Sequence, residues 1–261
     1  MLEVQDLKKY FVSGMLNKHY VKAVDGVSFQ IGRGETLGLV GESGCGKTTL
    51  GRLLLRLVEP TSGKIVFDGT DITRLNRRKL RRIWPRMQMI FQDPDSSLNP
   101  RMKIGDSIAE PFRLKRRENL KKKEIHDRVL ELVETVGLNP EHINRYPYQL
   151  SGGQNQRVVL ARVLAINPDF IVADEPTASL DVSVQAQILN LIQDLKREYN
   201  LTILFISHDM EVVRHMSDRI AMMHQGRIVK VGNAWEIFEY SRRRDANAST
   251  LPASARGSLI I

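Results

Sequence analysis

A glycine-rich stretch between residues 41 and 49 contains the residue types that bind phosphate. It fits the pattern G-x-x-x-x-G-K-[ST] without a gap. Glycines let successive backbone N–H groups converge on one anion without Cβ clashes. Lys47 would bring a positive charge to the β- and γ-phosphates, and the hydroxyl of Thr48 suits Mg²⁺. The sequence therefore predicts a nucleoside triphosphate site, formed by Gly41, Glu42, Ser43, Gly44, Cys45, Gly46, Lys47, Thr48 and Thr49.

Two adjacent carboxylates follow an apolar run at residues 170–174. Asp174 ends the predicted strand, where it could hold Mg²⁺ through a water molecule. Glu175 comes next and would polarise the attacking water, so the pair supplies most of what phosphoryl transfer requires. A surface Asp-Glu pair at a strand end is the structural alternative, and the phosphate loop upstream disfavours it.

A second anion-binding element is predicted at the start of a helix. Ser151, Gly152, Gly153 and Gln154 open this helix, where a serine and two glycines form a nest of N–H donors. Ser-Gly-Gly is also a common way to begin a helix, so this element alone would be weak evidence. Together with the phosphate loop and the carboxylate strand, it points to one fold family.

The residues around the phosphate loop predict a strand before it and a helix after it. Residues 36–40 are an apolar run typical of a buried strand, and residues 50–58 have a helical pattern. The helix would add its unpaired N–H groups and the positive end of its dipole to the loop. A plain glycine turn before a helix is the alternative, and the lysine and threonine at the required offset disfavour it.

The order of the predicted elements favours an α/β fold. Residues 2–12 and 21–31 predict strands of an antiparallel sheet beside the phosphate loop. Residues 71–85 are predicted to be helical, and residues 93–150 to form a helical insertion between two core strands. From residue 151 onward, strands alternate with helices, which indicates a parallel sheet with helices on both faces.

Composition places the chain among ordinary globular proteins. It has 261 residues, of which 42% are hydrophobic and 26% charged, enough to bury a sizeable core. The single cysteine excludes an internal disulfide. Apolar runs fall short of the roughly 18 residues that span a bilayer. The N-terminal residues lack the pattern of a signal peptide, so we expect a cytosolic protein.

The net charge of +9 predicts an anionic partner, such as a nucleotide, a nucleic acid or a lipid surface. Basic residues cluster at 77–82, 113–123 and 242–244. Each cluster is most simply a solvated face. Apart from Trp84, aromatic side chains are not interleaved with them, so stacking on bases is not indicated.

Several motifs in a fixed order resemble those of the nucleotide-binding subunit of an ABC transporter. The resemblance covers residues 1 to about 235. Within that family the chain is similar to the ATPases of peptide, dipeptide and nickel importers, through the stretches 21–28, 91–100 and 181–185. The motifs are Gly41–Thr49 as Walker A, Gln92 as the Q-loop, Leu150–Gln154 as the signature, Phe170–Glu175 as Walker B, Ser179–Asp181 as the D-loop and His208 as the switch histidine.

The resemblance implies a P-loop NTPase fold of the ABC ATPase type. Such a fold has a RecA-like parallel-sheet core, an N-terminal antiparallel β subdomain and a helical subdomain, here at about residues 93–158. One ABC ATPase domain would span residues 1–240. Residues 241–261 lack periodicity, so we expect disorder or loose order there. They also lack a segment that the subfamily usually carries, so no role is assigned to them.

In such ATPases two subunits, identical or sister, meet head to tail with ATP sandwiched between them. By that match, Ser151, Gly152 and Gly153 would touch the γ-phosphate of ATP held by the partner subunit. Gln154 completes this signature, and Asp181 would lie at the same interface. Asp181 could also cap the helix that follows it.

The resemblance gives further roles at the phosphates. Gln92 would contact Mg²⁺ or the attacking water, so the predicted metal set is Thr48, Gln92 and Asp174. His208 would orient the γ-phosphate and Glu175, and it closely follows a predicted core strand, at the edge where α/β sheets bind ligands. Taken alone, a loop glutamine bonded to backbone and a structural histidine are the alternatives.

A few positions leave the site open or depart from the family pattern. Tyr20 is the candidate for stacking on adenine, and His19 could serve instead. Ala178 and Ser179 are exchanged relative to the usual order, which would shift the D-loop contact. Asn155 stands where Arg or Lys is common, which puts the partner contacts in question more than ATP binding.

The expected function is hydrolysis of ATP, with Mg²⁺, to power import of oligopeptides, dipeptides or nickel through a membrane permease. The expected partners are integral membrane permease subunits, a second ATPase subunit and, indirectly, an extracytoplasmic substrate-binding protein. We expect a peripheral protein on the cytoplasmic face of the cell membrane. The alternative is a soluble ABC-type ATPase acting on nucleic acid or ribosomes. A single nucleotide-binding unit without a long coiled-coil insertion disfavours it, so no nucleic acid partner is expected.

Overall fold

The computed structural model describes residues 1–13, 19–114 and 120–249. The strands in this part of the chain are β1 (Leu2–Ser13), β2 (His19–Ile31), β3 (Thr36–Val40), β4 (Ser62–Phe67), β5 (Thr70–Asp71), β6 (Met87–Ile90), β7 (Phe170–Asp174), β8 (Thr202–Ile206), β9 (Arg219–His224) and β10 (Arg227–Asn233). They form an antiparallel sheet in the order β2-β1-β4-β5 and a second sheet in the order β10-β9-β3-β8-β7-β6.

Helices cover the second sheet and fill the long connection between two of its strands. The α-helices are α1 (Lys47–Leu54), α2 (Arg77–Leu80), α3 (Pro94–Ser97), α4 (Ile104–Leu114), α5 (Lys122–Thr135), α6 (Gly152–Leu164), α7 (Val182–Tyr199), α8 (Met210–Met216) and α9 (Ala234–Ser249). Because β6 and β7 are neighbours in the sheet, helices α3 to α6 form an insertion that leaves and re-enters adjacent core strands.

The second sheet brings three strand ends to one edge. Strands β3, β8, β7 and β6 run parallel, and every residue of β3, β7 and β8 is buried, as in a sheet covered on both faces. Leu39 and Asp174 both pair with Ile206. Residues that follow β3, β7 and β8 therefore meet at this carboxyl edge.

Alternating side chains of this sheet divide the hydrophobic core in two. Leu204 and Ile206 belong to a cluster with side chains of the antiparallel sheet, such as Ile65. Ile203 and Phe205 point the other way and pack with the helical insertion and α7. The core sheet is thus held between the antiparallel sheet and the helices.

Arg86 ties the two sheets together. It bonds Asp68, in the turn after β4, at 2.7 Å and Asp169, just before β7, at 2.5 Å. Arg33 is a second partner of Asp68. The Arg86 and Arg33 guanidinium groups hold the pKa of the Asp68 carboxyl below its ordinary value.

The structure differs from the sequence pattern at residues 71–85. Only α2 and a 3₁₀ turn at Trp84–Arg86 are helical there, so the prediction of one continuous helix is wrong. Asn76 caps α2 through its side chain, and within α2 only Leu80 is buried. A segment with one apolar anchor has no stripe to bury, so the helix stops after one turn.

The C-terminal part also differs from the prediction. Helix α9 runs through Ser249, whereas the sequence pattern favoured disorder or loose order from residue 241. Buried Ala234, Ile237 and Phe238 anchor the start of α9, and the arginines and alanines after them favour helix. Residues 250–261, also predicted to be disordered, lie outside the described residues.

Replacing Asp68 should weaken the protein in a pH-dependent way. Because its folded-state pKa is lowered, its contribution exists above the ordinary Asp pKa and is lost as pH falls through the lowered value. Asp68→Asn should therefore reduce the free energy of unfolding at pH 7 by about 1 kcal/mol or less, with the deficit vanishing in acid. Urea denaturation at several pH values measures this. Exposed Asp127 is the matched control, and a deficit independent of pH would contradict the assignment.

Candidate active site

The phosphate loop connects β3 to α1 with its backbone pressed against neighbouring chain. Gly46 precedes α1 with φ of +109°, and a Cβ at this position would clash with the carbonyl oxygen of Ala23 on β2. The N–H of Gly226, in the β9–β10 turn, donates to the carbonyl of Cys45 at 2.9 Å. Burial raises the pKa of the Cys45 thiol, so it stays protonated at neutral pH. The loop is thus held from both sides.

Lys47 lies inside this loop and is 6% exposed. Its Nζ donates to the carbonyl oxygens of Gly41 at 2.6 Å and Glu42 at 2.9 Å. Within the described residues it has no carboxylate partner. An ammonium group held this way favours an anion at the mouth of the loop.

The first residue pair at the carboxyl edge is Thr48 and Asp174. The Thr48 hydroxyl donates to Asp174 Oδ1 at 3.1 Å. Asp174 ends β7 and is buried, and this burial raises the pKa of its carboxyl, while the Thr48 hydrogen bond opposes the rise. The pair presents one hydroxyl and one carboxylate beside the phosphate loop, the oxygen ligands that Mg²⁺ prefers.

Glu175 stands between two side chains from other elements. Gln92 Nε2 lies 3.4 Å and His208 Nδ1 lies 3.4 Å from Glu175 Oε2. The Glu175 backbone has φ of +48°, an unfavourable conformation for this residue type, and its N–H donates to the carbonyl of Ile206. Such local strain is typical of functional positions. The three residues predicted as catalytic are therefore neighbours.

An open cleft of about 1110 Å³ runs from the phosphate loop to the antiparallel sheet. Its lining includes the loop from Ser43 to Thr49, Gln92, Glu175 and Tyr20. Phe11 also lines the cleft, which sequence reasoning missed, because the pattern of β1 does not reveal which of its residues faces the loop. Phe11 pairs with Val21, whereas Tyr20 pairs with Val12. Because the phosphate loop contacts β2 at Ala23, Phe11 lies one step nearer to the loop along the sheet.

The signature residues lie outside this cleft. Ser151 caps α6 in a reciprocal bond with Gln154, and it and Gly152 are exposed. A Cβ on Gly153 would clash with Val184 of α7, so only glycine lets the two helix starts pack this closely. Asp181 caps α7 by accepting the N–H of Val184 at 3.0 Å. The signature and Asp181 thus share one exposed surface.

The residues that depart from the usual pattern have local explanations in part. Asn155 is buried, and its Nδ2 donates to the carbonyl of Pro147 at 3.1 Å, which ties the start of α6 to the preceding turn. Ala178 and Ser179 are exposed. Nothing in the structure explains the exchange of those two residues. His19, the alternative to Tyr20, is exposed at the start of β2 and is not among the residues that line the cleft.

A glycine loop between a buried strand and a helix, with a buried Asp at the end of a neighbouring parallel strand, defines a P-loop NTPase. Residues 24–178 match the family model described as ABC transporter. The chain belongs to that family, as an ATPase.

Curated relatives agree with this assignment. The chain is 52% identical over 240 residues to the oligopeptide transport ATP-binding protein OppF of Bacillus subtilis, covering 92% of this chain and 77% of that protein. It is 49% identical over 244 residues to AppF of the same organism, also an oligopeptide transport ATP-binding protein, covering 92% and 74%.

Solved structures share the fold. A dimeric ATP-binding cassette in a post-hydrolysis state, bound to ADP and Pi, superposes with a TM-score of 0.80 at 29% identity, covering 90% of this chain and 99% of that one. A part of the cbiONQ ABC transporter complex from Clostridium perfringens gives 0.80 at 28% identity, covering 96% and 95%. Within the described residues, the helices are too short or too polar to cross a membrane.

The close packing at Gly46 can be tested against another glycine of the same loop. Gly46→Ala should lower the free energy of unfolding by about 2 kcal/mol or more and abolish ATP binding, because it adds both backbone strain and a clash. Gly44→Ala should cost only about 1 kcal/mol of backbone strain, because nothing lies within 4 Å of its added Cβ. Urea denaturation and nucleotide titration measure both, and equal effects would contradict the packing argument.

Proposed function

We propose that this chain is the ATP-hydrolysing subunit of an importer and powers the passage of peptides through a membrane permease. The observation that carries the proposal is Glu175 held between Gln92 and His208 beside the phosphate loop. The relatives described above are named for oligopeptide transport, which supports peptides as the cargo. Nickel, the other predicted cargo, has no support among those relatives.

ATP fits the cleft in one direction. The triphosphate would lie on the loop N–H groups from Gly44 to Thr49 and on Lys47, where the helix start favours negative charge. The base would then reach the antiparallel sheet, where Phe11 and Tyr20 offer aromatic surface. We propose Phe11 as the stacking residue because it lies nearer to the loop, with Tyr20 outside it.

The residues present also fit Mg²⁺. Thr48 and Asp174 are within hydrogen-bond distance of each other at the edge of the loop, and Gln92 lines the same cleft. Mg²⁺ is commonly held by one or two such protein ligands together with phosphate oxygens. When bound, the ion would neutralise charge on the phosphates.

Glu175 is the residue that would aim the attacking water. Its carboxylate can accept a proton from water while Gln92 Nε2 and His208 Nδ1 fix its orientation. The side chain of His208 is exposed while it contacts Glu175, so it could also donate to the γ-phosphate.

A second copy, or a sister subunit, would complete the site. The N–H groups of Gly152 and Gly153 at the start of α6 have no hydrogen-bond partner among the described residues, and Ser151 and Gly152 are exposed, which suits a phosphate held by another chain. Asp181 lies on the same surface. The dimeric cassette among the structural neighbours supports this arrangement.

Transport requires partners in the membrane. We propose permease subunits as direct partners, a substrate-binding protein as an indirect one and the cytoplasmic face of the cell membrane as the location. The runner-up is an ATPase acting on nucleic acid or ribosomes, and the net charge of +9 is the observation in its favour.

Co-purification from membranes tests the two functions. A tagged chain solubilised with mild detergent should bring down permease subunits, identified by mass spectrometry. A Gly153→Val variant, in which the signature helix cannot pack on α7, is a control for assembly. Recovery of ribosomal proteins or nucleic acid without any permease would contradict import.

Glu175→Gln should reduce steady-state ATP hydrolysis by at least about 100-fold, the usual contribution of a general base. ATP affinity should stay within a few-fold, because the phosphate loop is untouched. Phosphate release and nucleotide titration measure the two effects. Glu141→Gln is the control, because Glu141 is an exposed carboxylate that does not line the cleft. Undiminished turnover in Glu175→Gln would rule out the proposed role of Glu175.

Phe11 and Tyr20, which form the aromatic wall of the cleft, give a prediction of their own. Phe11→Ala should raise the KM for ATP about tenfold, the effect of losing one base stack, whereas Tyr20→Ala should raise it less than threefold. Both variants keep the phosphate contacts, so kcat should change little. The reverse order of effects would show that Tyr20, the residue predicted from the sequence, stacks on the base instead.

A further inference from the structure

A buried carboxylate joins three elements at the inner end of the cleft. Asp25 of β2 is 9% exposed. Its Oδ1 accepts the hydroxyl of Tyr10 on β1 at 2.5 Å, and its Oδ2 accepts Arg227 Nη2 of β10 at 2.6 Å and Nε at 3.0 Å. The hydrogen bond from Tyr10 and then the Arg227 guanidinium hold the pKa of this carboxyl below its ordinary value.

The backbone continues this connection into the phosphate loop. The N–H of Asp25 donates to the carbonyl of Gly226 at 2.8 Å, and the N–H of Gly226 donates to the carbonyl of Cys45 at 2.9 Å. A single path of hydrogen bonds therefore runs from β2 of the antiparallel sheet, through the tip of the β9–β10 turn, to the loop.

This path joins the two walls of the cleft: the aromatic wall on the antiparallel sheet, formed by Phe11 and Tyr20, and the phosphate loop. Tyr10 is the chain neighbour of Phe11, which lines the cleft on the side of the antiparallel sheet. Cys45 belongs to the phosphate loop, and Asp25 and Arg227 line the cleft between the aromatic wall and this loop. The distance between the aromatic wall and the phosphate loop therefore depends on these contacts.

We propose that Asp25 and Arg227, with Tyr10, are positioning residues that hold the aromatic wall at the spacing that lets base and triphosphate bind together. The proposal rests on the ATP site proposed above. The triphosphate needs only the loop, whereas the whole nucleotide needs both walls in register. Loss of this three-residue clamp, formed by Tyr10, Asp25 and Arg227, should therefore weaken binding of ATP but not of a ligand that has phosphates alone.

The test compares ATP with inorganic tripolyphosphate, each with Mg²⁺. Arg227→Ala should raise the Kd and the KM for ATP about tenfold, with kcat reduced less than twofold and the Kd for tripolyphosphate changed less than twofold. Arg227→Lys should recover part of the loss. Asp25→Asn and Tyr10→Phe keep the shape of the clamp and should give smaller shifts of the same kind.

Arg219→Ala is the matched control. Arg219 lies at the far end of the same hairpin and pairs with Glu35 at 2.9 Å, away from the cleft. Its loss should change the Kd of neither ligand. Thermal unfolding shows that each variant is folded before it is titrated.

Equal weakening of ATP and tripolyphosphate in Arg227→Ala would overturn the proposal, because it would mean a general loss of structure. Unchanged ATP affinity would overturn it as well. Wild-type protein that binds neither ligand would instead contradict the proposed function, and the inference with it, so the two failures can be told apart.

Discussion

Lys47 holds its ammonium group in the protein interior, with the carbonyl oxygens of Gly41 and Glu42 as close partners and no carboxylate among the residues that the structure describes. A buried charge that lacks an opposite charge is costly, so the fold must force it there. The core sheet, helix α1 and the glycine-rich backbone of the loop together hold the Lys47 side chain in this buried position. Their joint result is a site where a triphosphate would supply the missing negative charge, with the proposed catalytic side chains nearby.

The donors that begin α6 do not share that cleft, and the proposed function depends on this separation. In the proposed arrangement, a triphosphate bound to one chain would turn its outer oxygens away from the loop, and the exposed surface of Ser151 and Asp181 would cover them from a second chain. Hydrolysis would then be linked to the contact between subunits. Two subunits that close on ATP and separate after hydrolysis could drive a partner protein. A site complete within one chain would not link hydrolysis to a contact between subunits.

The local parts of the site follow from the sequence because contiguous residues fix them. The phosphate loop follows β3, Asp174 ends β7 and Glu175 comes directly after it, so the strand ends of one parallel sheet bring these residues near His208. Phe11, Asp25 and Arg227 could not be predicted, since their meeting depends on how two different sheets pack, which no periodicity encodes. Most strands and the helical insertion were also predictable from apolar runs. The segment at 71–85 and helix α9 were not, because a single buried anchor or a few of them decide such helices.

The central claim is that two chains complete one ATP site, and light scattering tests it most directly. Glu175→Gln protein is measured with and without ATP, beside a Ser151→Arg/Glu175→Gln variant whose phosphate loop is intact but whose signature is blocked. The account predicts that ATP doubles the mass of the first protein, from one chain to two, and leaves the second unchanged. If ATP binds and the first protein pairs neither with itself nor with a sister ATPase subunit that co-purifies with it from membranes, or if both proteins pair equally well, the account is contradicted.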